Sequence, residues 1–237
     1  MENINWGKIL EQATNSDKKL SIKLLGDSIT HGEGGTGFCQ DGAHIVAEFS
    51  RNPNGFCWAK MFKEYLEEKY NCVVTNNACT GTTIDFTIEN FNILVDESDD
   101  LILCTIGTNN RHQYKNEGEK KTREELWESV YNNILHLNKL FEERNKLVVF
   151  VANIPSSLEN EMDGEDYWRI LHMPDINEIY KKAQEKAGFK FISMYDLFSM
   201  YMKENNETLD QLLCDGIHPN DKGYKVIFEL LIKTLGL

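Results

Sequence analysis

Apolar residues along this chain fall into two alternating patterns. Short, mostly apolar runs at 20–25, 72–76, 101–106, 147–152 and 189–194 read as buried strands. Longer segments between them place apolar residues three and four positions apart. Phe56, Ala59, Phe62 and Leu66 make such a stripe over 56–69, and Leu126, Val130, Ile134, Leu137 and Phe141 make one over 122–143. Both predict amphipathic helices. Thr122 followed by Glu125 is a capping box that starts the second. A further helix over 174–187 has Pro174 in its first turn and Gly188 just past its end. Helical stretches are also expected at 4–14, 195–202 and 222–235, the last capped by Asn220 or Asp221, and 86–94 has helical or mixed periodicity.

Strands that alternate with helices predict an α/β fold, a parallel sheet covered on both faces. The alternation continues without linker or repeat, so one domain over 1–237 is expected, with 1–19 as an arm or leading helix. Ligands of open sheets bind beyond the C-terminal ends of the strands. The polar clusters fall there. Gly26-Asp27-Ser28 follows the first strand, 77–83 the second and Gly107-Thr108-Asn109-Asn110 the third. The polar stretches 31–54, 111–121 and 154–173 read as loops that rim the same mouth. Tyr114, Tyr167 and Trp168 in them are suited to stacking on a sugar, or to ordinary loop packing.

Composition narrows the function. With 38 acids against 25 Lys plus Arg the net charge is -13, which disfavours nucleic acid and anionic lipid as partners. No apolar run approaches membrane-spanning length, so no membrane insertion is expected. Residues 1–19 lack the apolar core of a secretory leader, which predicts a cytoplasmic protein, although a chain freed of its leader would read the same. The six cysteines, Cys39, Cys57, Cys72, Cys79, Cys104 and Cys214, form no C-x-x-C and read as free thiols. The six histidines, at 31, 44, 112, 136, 172 and 218, make no metal-binding spacing, so no metal is expected. Gly32-Glu33-Gly34-Gly35-Thr36-Gly37 is not a dinucleotide fingerprint between strand and helix, and no cofactor is expected.

The candidate chemistry centres on Asp215-Gly216-Ile217-His218-Pro219-Asn220. Gly216 and Pro219 make it a turn, and Pro219 keeps His218 extended. Asp215 and His218 are then able to curl together, and a histidine oriented by a carboxylate is a general base. Ser28 at the first strand end is the matching nucleophile, or else a helix cap. Gly81 allows close backbone approach to a ligand, or is a turn glycine. Asn109 has an amide to offer, or forms an Asx turn. Ser28, Gly81 and Asn109 together supply the donors of an oxyanion hole, a feature worth about 2.7–4 kcal/mol per donor.

These blocks, in this order, resemble the SGNH hydrolases, the GDSL-type lipase/esterase superfamily, from about residue 20 to the C-terminus. The resemblance implies a three-layer α/β/α sandwich, flavodoxin-like, around five parallel strands. It implies Ser28 as nucleophile, Gly81 and Asn109 as its oxyanion partners, His218 as base and Asp215 as orienting acid, with no metal. Members are esterases, lipases, thioesterases and carbohydrate O-deacetylases. Asn110 stands where the family pattern usually has Asp, a structural position, and Ala78-Cys79-Thr80-Gly81 departs from its small-residue glycine block. A serine esterase acting on a short-chain acyl or carbohydrate O-acetyl ester is therefore expected. A thioesterase, a lysophospholipase or a non-catalytic carbohydrate-binding module of the same fold are the alternatives.

Overall fold

The computed structural model describes residues 6–14, 17–38, 55–157 and 163–237. Most of the expected 31–54 loop, with Cys39 and His44, lies outside the described residues, as do residues 4–5 of the leading helix and 158–162 of the third loop.

The five apolar runs form one parallel sheet: β1 (Leu20–Gly26), β2 (Cys72–Asn76), β3 (Leu101–Thr105), β5 (Leu147–Ala152) and β7 (Lys190–Ser193), in the order β2-β1-β3-β5-β7. Counted along these five strands alone, that is the flavodoxin-like 2-1-3-4-5 order, with the direction of winding reversing at β1 and β3. Register pairs Gly26 with Thr105 and Thr105 with Val151, so β1, β3 and β5 end nearly level. The polar clusters that follow them therefore emerge side by side.

Strand residues alternate between two cores. Ile22, Leu24, Leu101, Leu103, Val149 and Val151 face one side, against α1 (Trp6–Thr14), α3 (Trp58–Lys69), α8 (Met194–Asn205) and α10 (Asp221–Leu235). Leu25, Ile102, Cys104, Val148 and Phe150 face the other. There they meet α4 (Ile84–Glu89), α5 (Phe91–Leu94), α6 (Arg123–Glu143) and α7 (Met173–Ala187). This is the expected three-layer sandwich. The capping box forms as read: Thr122 accepts from the Glu125 N–H and the Glu125 carboxylate from the Thr122 N–H. Gly188 closes α7 in the left-handed conformation, and Asn220 caps α10 by accepting from the N–H groups of Lys222 and Gly223. Among the described residues no helix is long and apolar enough to cross a membrane.

Three local expectations differ. The stretch at 86–94 is two short helices, α4 and α5, which break at Asn90, where the backbone leaves helical geometry (φ -103, ψ 14). Residues 111–121 are not simply loop. β4 (His112–Tyr114) pairs antiparallel with β6 (Tyr167–Arg169), so two rim segments form a ribbon. Three-residue strands are too short to show a period of two. Ser28 is not the cap of the helix that follows but its first residue: α2 (Ser28–His31) is one turn long and is capped by Asp27.

Phe150 is fully buried, and its ring meets those of Phe141, Tyr180 and Phe189 at centroid distances of 5.8, 5.9 and 4.8 Å. Truncation there removes the packing between β5 and two helices. F150A is expected to lose about 3–5 kcal/mol of unfolding free energy, measured by urea titration. A loss under about 1 kcal/mol would contradict this packing.

Candidate active site

The strand ends and the C-terminal turn bring three of the expected residues into direct contact. Ser28 Oγ lies 2.8 Å from His218 Nε2, and His218 Nδ1 lies 2.6 Å from Asp215 Oδ2. The second carboxylate oxygen of Asp215 accepts the N–H groups of His218 and Ile217, at 2.7 and 3.0 Å. One carboxylate thus fixes both the imidazole and the backbone that carries it. Burial raises the Asp215 carboxyl pKa, but the bonds to the His218 ring and to the two N–H groups outweigh it and hold the pKa below the usual value.

The turn itself is clamped from three directions. Gly216 O accepts the Ser157 N–H and the Ser156 hydroxyl, each at 2.9 Å, which ties the turn to the loop after β5. Leu213 bridges to Pro219, and the Cys214 N–H donates to His218 O at 2.9 Å. On the third side Gly34, with φ +94, packs so closely that a Cβ would lie 2.6 Å from Pro219 O and 2.8 Å from Cys214 Sγ. The loop after α2 and the histidine turn are pressed together at this point.

Asp27 anchors the serine side. It is fully buried, accepting the Ile29 N–H at 3.1 Å and the Asn153 amide at 2.9 Å. Burial raises its pKa, against the opposing pull of Thr108, Ile29, His218 and Asn153. Asn153 also donates to the Thr108 hydroxyl at 2.5 Å, so one amide joins the ends of β1, β3 and β5. Asn153 and Ser156 were missed as site residues in the sequence. The cluster after the fourth predicted strand, Asn153-Ile154-Pro155-Ser156, was the available signal.

Gly81 and Asn109 stand on the neighbouring strand ends. Gly81 has φ +79, a conformation that favours glycine, and is exposed. Among the described residues no acceptor meets the Gly81 N–H or the Ser28 N–H. The Asn109 amide donates to Thr82 O at 3.0 Å, which joins it to the Gly81 segment and leaves its second hydrogen for a ligand. The Cys79 N–H donates to Gly26 O at 3.0 Å and binds that segment to the end of β1. Asn110, the departure from the family pattern, is buried. Its oxygen accepts the Ile84 N–H at 2.9 Å and its amide donates to Asp85 at 3.0 Å. An aspartate would set a second carboxylate against Asp85, so the amide suits this partner.

Beside Asn109 a cleft of about 250 Å³ runs toward Tyr114, His112 and Asp85, with β4 along one side. Tyr114 is exposed, whereas Tyr167 and Trp168 are half-buried in β6 and the Tyr167 ring packs on His112. Burial pushes His112 down to about 3, with the Arg111 and Arg169 charges adding, so it stays neutral. Among the described residues no group of three His, Cys, Asp or Glu side chains gathers as a metal site would require.

A strand-end serine facing a carboxylate-held histidine, at the switch point of a 2-1-3-4-5 sheet, has the geometry of a Ser-His-acid triad. Family comparison is more specific. The model of the GDSL-like lipase/acylhydrolase family matches residues 24–226, and the chain belongs to that family. It is a carboxylic ester hydrolase of the SGNH superfamily. No curated protein sequence matches the chain. Solved structures do. The acetylxylan esterase Axe2 of Geobacillus stearothermophilus is 18% identical, with 92% of this chain and 94% of that chain covered, at a TM-score of 0.67. LAE5, an alpha/beta hydrolase from the metagenome of Lake Arreo, is 18% identical over 94% and 98%, also at 0.67. A GDSL-like lipase candidate from Parabacteroides merdae is 19% identical over 94% and 98%, at 0.64. At these identities the likeness concerns the fold.

The Gly34 contact is testable against a control. G34A is expected to cost about 1–3 kcal/mol and to lower kcat by about tenfold or more, because the histidine turn must shift. Gly118 also has positive φ, +123, but a Cβ there meets nothing within 4 Å. G118A should share the backbone strain and keep kcat; equal kcat losses in the two variants would contradict the clamp.

Asp215 carries a pH prediction. Its folded pKa is depressed below 3.8, so its contribution to stability is present above that pH and is lost as pH falls through the folded value. D215N is expected to flatten the acid limb of a stability-versus-pH curve. It should also lower kcat by about a thousandfold or more. An unchanged acid limb would remove the carboxylate from this role.

Proposed function

We propose that this chain is a serine esterase in which Ser28 is the nucleophile, His218 the general base and Asp215 its orienting acid. The observation that carries the reading is the continuous line from Ser28 Oγ through His218 to Asp215, with contacts of 2.8 and 2.6 Å. His218 takes the Ser28 proton as Oγ attacks the ester carbonyl. The carbonyl oxygen becomes an oxyanion held by the N–H groups of Ser28 and Gly81 and the Asn109 amide. As that intermediate collapses, His218 Nε2 passes the proton to the leaving alcohol. Water then enters, gives its proton to the same nitrogen, and cleaves the acyl-serine to acid and free enzyme.

The favoured substrate is a short-chain acyl ester of a polar alcohol, with an O-acetylated carbohydrate as the leading case. The polar groups beside His218 support this: Glu33 lies 3.7 Å from His218 Nε2 and is linked through the Thr80 hydroxyl to His31. The cleft beside Asn109 has polar walls and an exposed tyrosine, Tyr114. Axe2, which shares the fold, is an acetylxylan esterase by name.

A fluorophosphonate probe is expected to label Ser28, located by peptide mass spectrometry. S28A should abolish labelling and lower kcat by about 10⁴-fold or more while the thermal midpoint changes little. Retained turnover in S28A would refute the nucleophile. On a graded series of nitrophenyl esters kcat/KM should fall by about tenfold or more from acetyl to octanoyl. Preference for the long chain would instead favour a lipase or lysophospholipase. No labelling and no turnover at all would favour a carbohydrate-binding module.

A further inference from the structure

Glu33 serves the fold through its backbone. Its N–H donates to Ser28 O at 3.0 Å, and its carbonyl accepts the buried Tyr224 hydroxyl at 2.5 Å. The carboxylate has a different setting. Oε2 lies 3.7 Å from His218 Nε2 and takes a long 3.5 Å bond from the Thr80 hydroxyl, which in turn lies 3.2 Å from His31 Nδ1. Among the described residues no Lys or Arg comes within 4 Å of it. The side chain is 29% exposed.

In the proposed reaction His218 Nε2 is the atom that hands a proton to the leaving alcohol, so the leaving oxygen must come within hydrogen-bond reach of it. A carboxylate then stands beside that oxygen, and a bound substrate strips water from it. An anion desolvated in this way is costly unless the substrate brings a donor. The donor must sit next to the leaving oxygen. Neighbouring hydroxyls on a ring are set apart by about one hydrogen-bond length. Nε2 and Oε2 are 3.7 Å apart, which suits one oxygen receiving from Nε2 while the next donates to Oε2.

We propose that Glu33 is a specificity-determining residue that selects esters whose alcohol carries a free hydroxyl on the carbon adjacent to the esterified one, as in partly acylated sugars and polyols. The inference rests on the esterase reading above. It goes further by assigning the alcohol side of the substrate to a named acceptor.

The test compares two acetates of one ring size: the monoacetate of a vicinal trans-cyclohexanediol, and cyclohexyl acetate, which lacks the hydroxyl. The intact enzyme is expected to favour the first by about ten- to a hundredfold in kcat/KM, the range for a hydrogen bond to a charged group. E33A should shrink that ratio to less than about threefold. E33Q keeps an acceptor oxygen and should fall between the two. Cyclohexyl acetate is the smaller substrate, so extra room in E33A does not mimic the result. Equal losses on both acetates would overturn the proposal, because Glu33 would then act through His218 alone. So would the absence of any preference in the intact enzyme. If the intact enzyme also hydrolyses no nitrophenyl acetate and resists the fluorophosphonate probe, the esterase reading fails and takes this inference with it.

Discussion

The hydrogen bond between Ser28 and His218 spans 190 positions of sequence. Neither residue has a local reason to find the other. Their meeting depends on the level ends of β1, β3 and β5, which is a matter of strand register. A one-residue slip would turn Leu24 and Leu25 onto each other's faces and exchange the two cores. The apolar alternation that excludes such a slip therefore also aims the serine. Stability and site geometry rest here on the same set of side chains.

The other half of the contact is held by polar groups. The turn that carries His218 projects from the sheet, and Asp215 is half exposed. The backbone of this turn is satisfied by Asp215, by Ser156 and Ser157, and by the strand-like pairing of Leu213 with Pro219. Asp27, Asn153 and Thr108 do the equivalent work beneath the serine. Asp27 is the more expensive anchor, since burial raises its pKa against several donors that favour the charge. Such polar networks stabilise only when every member is satisfied, which explains why so many strand-end side chains point inward.

The sheet was legible because its strands are short, mostly apolar segments between helical stretches, and the long helices because their stripes and caps agree. Thr122, Gly188 and Asn220 mark ends that local chemistry decides. The Ser28, Asp215 and His218 contact was legible for another reason: each residue sits in a short motif that a parallel sheet places at one edge. The β4–β6 ribbon was not legible, because its pairing joins segments more than fifty positions apart with no periodicity to announce it. The break at Asn90 was hidden by apolar residues on both sides. Glu33 looked like part of a glycine-rich loop, and only the fold brings it beside His218.

The Tyr224 hydroxyl on the Glu33 carbonyl joins two elements 191 positions apart in sequence. Tyr224 is fully buried in α10, and Glu33 lies just past α2. The loop that carries Glu33 therefore keeps this tether only while α10 is docked on the sheet. Local opening of α10 would release the loop while β1 stays paired with β2 and β3.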